Sequence, residues 1–211
     1  MPIGKFVVEN YIDHYHLSHL HQNTLNMYDH KKAKFGWVGP HYWFFEPLIK
    51  KYEKDVENIS PYVLIDSVPK EKIGAYVPWL FPNIGLAESE GSWSTFHITP
   101  ISPTQTRVII RSKIMNVSDD KTKSQYLKSS IQPFWNKYGT KGKYDESINK
   151  EDPMTSGDFM QEDIFACEQQ QKSLKSPYFS IGATAQRGES AIVKFQSIIK
   201  EWIENSVNVI K

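Results

Sequence analysis

The fold is best indicated by one stretch, residues 92–115, which reads SWSTFHITPISPTQTRVIIRSKIM. β-branched and aromatic residues fill both halves of this stretch, and such residues favour extended backbone. Pro103 and Thr104 separate the two halves, and turn-forming residues of this kind commonly connect paired strands. The stretch therefore predicts two neighbouring antiparallel strands.

Three segments before this pair carry the same signals. Residues 36–47 (GWVGPHYWFFEP), 60–68 (SPYVLIDSV) and 74–81 (GAYVPWLF) are rich in β-branched and aromatic residues. Gly and Pro punctuate these segments, as is typical of strands joined by turns. Together with residues 92–115, the segments predict one antiparallel sheet.

Helical patterns flank the predicted sheet. From residue 8 to about residue 20, the spacing of apolar positions and the absence of Pro and Gly favour a helix. Apolar residues recur at helical spacing again over residues 160–174 and over residues 192–203. The order of helix, sheet and two further helices indicates an α+β fold.

The length of the chain favours a single domain that spans residues 1–211. Within it, residues 117–157 are rich in polar and charged side chains. This composition is typical of a surface excursion or a lid, and we expect the segment to lie outside the core.

Charge and cysteine content argue against several classes of protein. The chain has 25 Lys and Arg against 24 Asp and Glu, which provides no electrostatic footprint for nucleic acid or an anionic membrane. Its single cysteine, Cys167, cannot form an internal disulfide and suits a reducing compartment. No apolar run approaches the roughly 20 residues of a membrane span. We therefore expect a cytoplasmic protein without nucleic acid or membrane partners.

Four of the seven histidines lie in ENYIDHYHLSHLH, residues 9–21, but no two of them have the i, i+4 spacing that shares a helix face. His16 and His21 are five positions apart, which corresponds to about 140° on an ideal helix. The two could meet at one ion only if the helix ends, bulges or turns between them, near Ser18 or His19, so that His21 comes from the exit of the helix. The spacing alone favours a metal site and solvated histidines equally.

The same stretch resembles the catalytic domain of the Rieske non-haem iron oxygenases, the ring-hydroxylating dioxygenase α-subunit family. Residues 81–83 (FPN) and 162–182 (EDIFACEQQQKSLKSPYFSIG) are also similar to this family, the latter most of all to its branch acting on quaternary amines such as choline and carnitine. Seven residues fill the family pattern K-x-x-x-E-N-x-x-[DE]-x-Y-H-x-x-x-x-H: Lys5, Glu9, Asn10, Asp13, Tyr15, His16 and His21. Three more fill the later family pattern P-x-x-P-x-x-T: Pro100, Pro103 and Thr106.

The resemblance implies a helix-grip (START-like) fold, an antiparallel sheet with flanking helices and a long C-terminal helix. It also implies that His16, His21 and Asp163 bind Fe(II), because two imidazoles and one carboxylate leave the opposite positions of the ion open for O₂ and substrate. Asp13 would hydrogen-bond His16 and link it electronically to a neighbouring subunit. Taken without the family, Asp13 and Asp163 are equally typical of exposed helix acids.

Several residues are candidates for contact with the substrate. Asn10 lies one helical turn before Asp13, where it faces either the metal cavity or the core. Trp93 and Phe96 lie in predicted strands, where aromatic side chains line a cavity or fill the core. Trp43, Phe44 and Phe45 have the same two interpretations. An aromatic wall suits a planar ring and also a quaternary ammonium.

The expected function is hydroxylation of a small aromatic or quaternary-amine substrate with O₂ at a mononuclear Fe(II). The family's [2Fe–2S] cluster is held by two cysteines and two histidines, and a sequence with one cysteine resembles a catalytic half without that cluster. Electrons are therefore expected in trans from a separate Rieske protein or ferredoxin that docks near Asp13. The family's trimers suggest a homo-oligomer. The alternative is a non-catalytic small-molecule binding module or assembly subunit of the same fold, against which the retention of all three ligands argues.

Overall fold

A computed structural model of the chain describes residues 3–60, 63–66, 68–69, 72–114, 151–185 and 188–209. The centre of the described structure is a seven-stranded antiparallel sheet. Its strands are β1 (Lys34–Val38), β2 (His41–Pro47), β3 (Gly74–Tyr76), β4 (Trp79–Leu80), β5 (Ile84–Glu88), β6 (Ser92–Ser102) and β7 (Gln105–Ile114).

The strands follow the order β1-β2-β3-β5-β6-β7, and the short strand β4 also pairs with β2 and β5. β6 and β7 are paired along their lengths, from Ser92 opposite Ile114 to Ser102 opposite Gln105. Pro103 and Thr104 connect them, so the antiparallel pair predicted for residues 92–115 is confirmed. This pairing extends the sheet well beyond its short central strands.

Five helices accompany the sheet in the described part of the chain: α1 (Ile3–Ile12), α2 (Leu17–Leu20), α3 (Lys50–Ile59), α4 (Phe159–Ser173) and α5 (Ser190–Val209). α4 begins after Asp158, whose side chain accepts a hydrogen bond from the Met160 N–H. The helices predicted over residues 160–174 and 192–203 are confirmed, whereas α3 was not predicted. The mixture of helices and antiparallel sheet agrees with the α+β prediction, and the helix-grip assignment stays a prediction.

The single helix predicted over residues 8–20 is wrong, because α1 ends at Ile12 and α2 begins at Leu17. The break does not lie near Ser18 or His19, which are both within α2. It lies at residues 13–16, where the Asp13 carboxylate accepts a hydrogen bond of 2.8 Å from the Tyr15 N–H. Such a local bond from side chain to backbone competes with helical hydrogen bonding, and it explains why the helix stops here.

The segment 60–68 was predicted as a strand, but residues 63–65 are not part of the sheet. Leu64 and Val68 instead pack against a core cluster, so the apolar character of this segment serves packing rather than strand pairing. Residues 61, 62 and 67 lie outside the described residues. The same is true of residues 117–150 of the predicted excursion, whereas residues 151–157 form turns and bends.

Two hydrophobic clusters form the core. The first joins α1 and α5 to the sheet through Val8, Ile12, Tyr42, Phe44, Trp79, Ile98, Ala191 and Phe195. The second packs α3 beside β3 through Met27, Tyr28, Leu48, Tyr52, Val56, Ile73 and Ala75. α1 also contacts α4, β6 and β7, so it lies between the sheet and the last two helices. Within the described ranges, no helix has both the length and the apolar character to cross a bilayer.

Candidate metal centre and adjoining cavity

His16 and His21 lie at the two ends of the one-turn helix α2. His16 precedes its first residue, and His21 follows its last with a backbone (φ −101°, ψ 33°) that has left helical values. The two imidazole rings therefore approach each other, with centroids 5.1 Å apart and planes at 72°. His21 therefore comes from the exit of a helix, as predicted, and α2 continues through Ser18 and His19 before it ends at Leu20.

Asp163 reaches the two histidines from the first part of α4. Its Oδ1 lies 3.1 Å from His21 Nε2 and 3.5 Å from His16 Nε2. One ligand atom from each of the three residues falls within 4.8 Å of the others. Metal–ligand bonds to nitrogen and oxygen are about 2.0–2.2 Å long, so adjacent ligands of one ion lie about 3 Å apart. The spacing therefore fits a common metal ion.

The far nitrogen of each imidazole faces another carboxylate. His21 Nδ1 lies 2.6 Å from Glu162 Oε2, which also accepts a hydrogen bond of 2.7 Å from the Thr24 hydroxyl. His16 Nδ1 lies 3.5 Å from Asp13 Oδ2, which is too long for a good hydrogen bond, and it has no hydrogen-bond partner in the described part of the chain. Such carboxylates favour the tautomer that leaves Nε2 free for a metal.

Asn10 orients the third candidate ligand. From the last turns of α1, its side-chain amide donates a hydrogen bond of 2.9 Å to Asp163 Oδ1. The acceptor is the same oxygen that faces both imidazoles. The amide therefore limits rotation of the Asp163 carboxylate and keeps Oδ1 directed at the centre.

The charges at the centre shift the protonation of all three groups. Burial disfavours the imidazolium of His16, but the carboxylates of Asp13 and Asp163 outweigh it and raise its pKa to about 9. Burial also opposes the imidazolium of His21, but the carboxylates of Asp163 and Glu162 outweigh it and raise the pKa of His21. Burial would raise the pKa of Asp163, yet its hydrogen bonds to the two histidines hold it well below its usual range. The metal-free site thus attracts protons, and the same negative potential favours a divalent cation.

A cavity of about 530 Å³ adjoins the centre, between α1, α4 and the inward face of the sheet. Its lining includes His16, His21 and Asp163, so the candidate metal centre opens into it. Asn10 and Phe96, both predicted to contact substrate, line the cavity as well. The volume lies in the range typical of small-molecule sites.

Trp93 was also predicted to contact substrate, but it is not among the residues that line the cavity. Successive side chains of a strand point to opposite faces, so Trp93 and Phe96 of β6 cannot share one face. The Trp93 ring is exposed and lies 5.3 Å from Lys113 Nζ. Likewise, Phe44 lines the cavity, whereas its neighbours Trp43 and Phe45 do not.

The two histidines without a predicted ligand role lie beside the centre. His19 is exposed, and its Nδ1 is 3.1 Å from the Tyr15 carbonyl oxygen. His14 lines the cavity with its ring 4.4 Å from that of Phe35, and its pKa is lowered by burial against the opposing charges of Asp13 and Glu46. Neither belongs to the group of potential metal ligands in the described residues.

Glu162 and Thr24 were not predicted as part of the site. Glu162 is adjacent to Asp163, and neighbouring helix residues point about 100° apart, so only one of the two can face the metal. The second carboxylate can then hydrogen-bond the far nitrogen of a ligating histidine. The adjacency of Glu162 to Asp163 is the one sequence signal that could have identified Glu162. Thr24 carries no comparable signal, because its role depends on a contact with a residue 138 positions away.

Comparison with known proteins assigns the chain to a family. Residues 5–205 match the family described as Ring hydroxylating alpha subunit (catalytic domain), and the chain belongs to this family. Among curated proteins, none matches the sequence. The family therefore identifies the class of catalytic domain, in agreement with the resemblance of residues 5–21.

Solved structures of Rieske monooxygenases share the fold. The quaternary ammonium Rieske monooxygenase CntA in complex with inhibitor MMV12 aligns with a TM-score of 0.63 and 14% identity, over 94% of this chain and 46% of that chain. CntA in complex with gamma-butyrobetaine aligns with a TM-score of 0.56 and 14% identity, over 94% and 44%. Dicamba monooxygenase bound to 3,6-dichlorosalicylic acid aligns with a TM-score of 0.50 and 14% identity, over 95% and 56%. The chain thus spans about half the length of these enzymes.

Proposed function

We propose that the chain is the catalytic component of a mononuclear non-haem iron oxygenase. It would hold Fe(II) at His16, His21 and Asp163, in a helix-grip framework, and hydroxylate a small aromatic or quaternary-amine substrate with O₂. The observation that carries this proposal is the convergence of the three side chains within 4.8 Å at the wall of a cavity. Membership of the ring-hydroxylating family supports it.

The donor set fits ferrous iron. Two neutral imidazoles and one carboxylate on one face are typical of non-haem Fe(II) oxygenases, whereas structural zinc sites are usually closed by four protein ligands. When bound, the iron would supply open coordination positions for dioxygen activation beside the substrate. Glu162 would hold the Nδ1 proton of His21, and Asn10 would hold Oδ1 of Asp163 towards the ion.

Asp13 has a different proposed task from these two supports. Its carboxylate faces His16 but is partly exposed, and the next residue but one, Tyr15, is exposed at the surface. A donor protein that docks at this surface would be separated from the metal centre only by Asp13 and His16. We therefore propose that electrons enter along Asp13.

The electrons would come from a separate Rieske protein or ferredoxin. A Rieske cluster takes two cysteines, and the 211 residues contain one. The structure of a quaternary ammonium Rieske monooxygenase that shares the fold is described as revealing insights into carnitine oxidation by gut microbiota and inter-subunit electron transfer. By analogy, we propose that this chain forms a homo-oligomer, a trimer as in the family, which receives electrons from a cluster outside these residues.

Metal analysis tests the proposed iron site. After anaerobic reconstitution with Fe(II), we expect about one iron per chain, and its loss in His16→Ala and in Asp163→Ala. His19→Ala is the matched control, because it removes an exposed histidine of the same stretch and should retain the iron. Absence of iron from the reconstituted wild type, or full retention in Asp163→Ala, would contradict the proposal.

Oxygen consumption tests the proposed reaction. A panel of aromatic acids and quaternary amines would be supplied with and without a co-encoded Rieske protein and its reductase. We expect substrate-dependent O₂ uptake only with the donor. Full uptake without the donor would refute electron delivery in trans, and no oxidation with any donor would refute the oxygenase. In that case, ligand binding that survives His16→Ala would identify a binding module.

A further inference from the structure

The described residues that line the cavity beside the candidate metal centre include five acids, and their basic side chains are the histidines His14, His16 and His21. None of the described residues that line it is Lys or Arg. Asp163 and Asp13 belong to the metal centre, which leaves three further acids of the lining free of any proposed role there. The acids of the lining are Asp13, Glu46, Glu88, Asp163 and Glu168. Apart from these histidines, an anionic substrate would find no side-chain cation among the described lining residues to compensate its loss of hydration.

Glu46 is the most deeply buried of these free acids, with 2% of its surface exposed. Alternation along β2 places it on the inward face with Tyr42 and Phe44. Its Oε2 lies 2.7 Å from His30 Nδ1, which uses part of its hydrogen-bonding capacity. An ionised carboxylate accepts about four hydrogen bonds, so Glu46 retains capacity for a donor that enters the cavity.

Tyr42 adds a second unsatisfied group to the same wall. Its side chain is 2% exposed, and its hydroxyl has no hydrogen-bond partner among the described residues. His14 Nδ1, on a ring whose centroid lies 6.2 Å from that of Phe44, is unpartnered in the same sense. Buried polar groups are almost always hydrogen-bonded, so unpartnered ones at a cavity wall indicate a ligand that supplies the missing bonds. A quaternary ammonium has no N–H to offer them.

We propose that the substrate is a protonated amine with at least one N–H, and that this N–H donates to the Glu46 carboxylate. The Phe44 ring, next along β2, would contact the cation through its face. Tyr42 would form a second hydrogen bond with a polar group of the substrate. This inference rests on the proposed function, since it takes the cavity as the substrate site. It replaces the quaternary amine named there with an amine that has an N–H, and it excludes an aromatic acid.

Three probes of similar size test the selectivity: benzylammonium, benzyltrimethylammonium and benzoate. We would measure their affinities by calorimetric titration of the anaerobic Fe(II)-loaded protein. Hydrogen bonds to charged groups predict that benzylammonium binds at least about tenfold more tightly than either other probe. Equal or tighter binding of benzoate would overturn the choice of a cation. Equal or tighter binding of benzyltrimethylammonium would overturn the requirement for an N–H.

Variants of the wall test the residues. We expect Glu46→Gln to weaken benzylammonium binding at least about tenfold and to leave benzoate binding unchanged or stronger. Glu53→Gln, which neutralises an exposed acid of α3, is the control and should leave both affinities unchanged. An unchanged benzylammonium affinity in folded Glu46→Gln would overturn the proposal.

Tyr42→Phe keeps the inference testable if Glu46→Gln does not fold. The substitution removes one oxygen atom that has no hydrogen-bond partner among the described residues. We expect benzylammonium affinity to fall about threefold. Unchanged affinity in folded Tyr42→Phe would then overturn the proposal. Titrating the metal-free wild type with the same probes separates the two hypotheses, because failure to bind iron refutes the proposed function while amine selectivity is measured independently.

Discussion

The two histidines of the candidate metal centre are supported in opposite ways. His21 and its carboxylate partner Glu162 are 1% and 3% exposed, and His21 Nδ1 lies 2.6 Å from Glu162 Oε2. The Thr24 hydroxyl donates a further hydrogen bond to Glu162. His16 and its partner Asp13 are 18% and 15% exposed and 3.5 Å apart. One imidazole is thus held in the protein interior, and the other stands near the surface with a loosely placed partner.

The difference indicates a division of roles within one site. A buried, hydrogen-bonded pair resists movement, so the His21 branch of the site, formed by His21 and Glu162, suits the task of fixing the position of a metal. A partly exposed pair changes its hydrogen bonding at low cost, so the His16 branch suits exchange with the outside of the molecule.

The largest expected effect is on stability. His21→Ala would leave the Glu162 carboxylate buried without its main partner, and breaking such a buried pair costs about 3–5 kcal/mol in the free energy of unfolding. His16→Ala removes a histidine from a partly exposed pair, and at pH 9.5, where most of the His16 imidazole is neutral, it should cost about 1 kcal/mol or less. Urea denaturation of the metal-free proteins measures both values. Equal losses would mean that the two branches do not differ in support.

The next effect is a pH dependence of the metal-free protein. The pKa of His16 is about 9 in the folded state against an ordinary value of 6.5, so protonation of His16 stabilises folding. This contribution is fully present below pH 6.5 and is lost as the pH rises through 9, at a cost of about 3 kcal/mol. The lowered pKa of Asp163 acts in the other direction, since its contribution is present above its ordinary value of 3.8 and is lost at lower pH.

Denaturation at a series of pH values between 5.5 and 9.5 measures this loss. His16→Gln should remove most of it, whereas the control His19→Gln should leave the wild-type profile unchanged. A stability that rises between pH 6.5 and 9 would contradict the assignment. Because a metal competes with protons for the imidazoles, iron affinity should increase over the same interval.

The smallest expected effect separates metal affinity from electron delivery. Glu162→Gln should weaken Fe(II) binding about tenfold to a hundredfold, because it replaces the carboxylate that orients His21. Asp13→Asn should weaken binding less than about tenfold but reduce donor-coupled turnover by a larger factor than its effect on binding. Anaerobic titration and oxygen uptake measure the two quantities. If both variants reduced turnover by the same factor relative to their loss of Fe(II) affinity, the two histidine–carboxylate pairs would not differ in role.

Local patterns predicted much of the fold. The paired strands β6 and β7 and the helices α4 and α5 followed from the period of apolar residues and from Pro103 and Thr104. The failures have physical causes that the pattern does not contain. Asp13 ends α1 by accepting a hydrogen bond from the Tyr15 N–H, and Leu64 and Val68 pack against the core instead of joining the sheet. In both places a specific contact overrides the average preference of the residues.

The candidate site was predicted unevenly for similar reasons. The sequence showed that His16 and His21 could meet only if the helix did not continue through both, and the structure ends α2 at His21. Asp163 was identified by resemblance to a family pattern, because no local signal relates it to the histidines. Trp93 was assigned to the cavity because the sequence predicted its strand. The sequence did not predict which face of that strand Trp93 occupies.

Most of the helices and strands, the single cysteine and the types of ligand available follow from the sequence alone, because these depend on composition and on neighbours along the chain. Which groups meet depends on the tertiary structure. Asn10 contacts a residue 153 positions away, and His21 contacts one 141 positions away. The tertiary structure also decided that Glu46 and Tyr42 line the cavity while Trp93 does not. Such contacts depend on how separate elements pack against one another, and no local property of the chain encodes that packing.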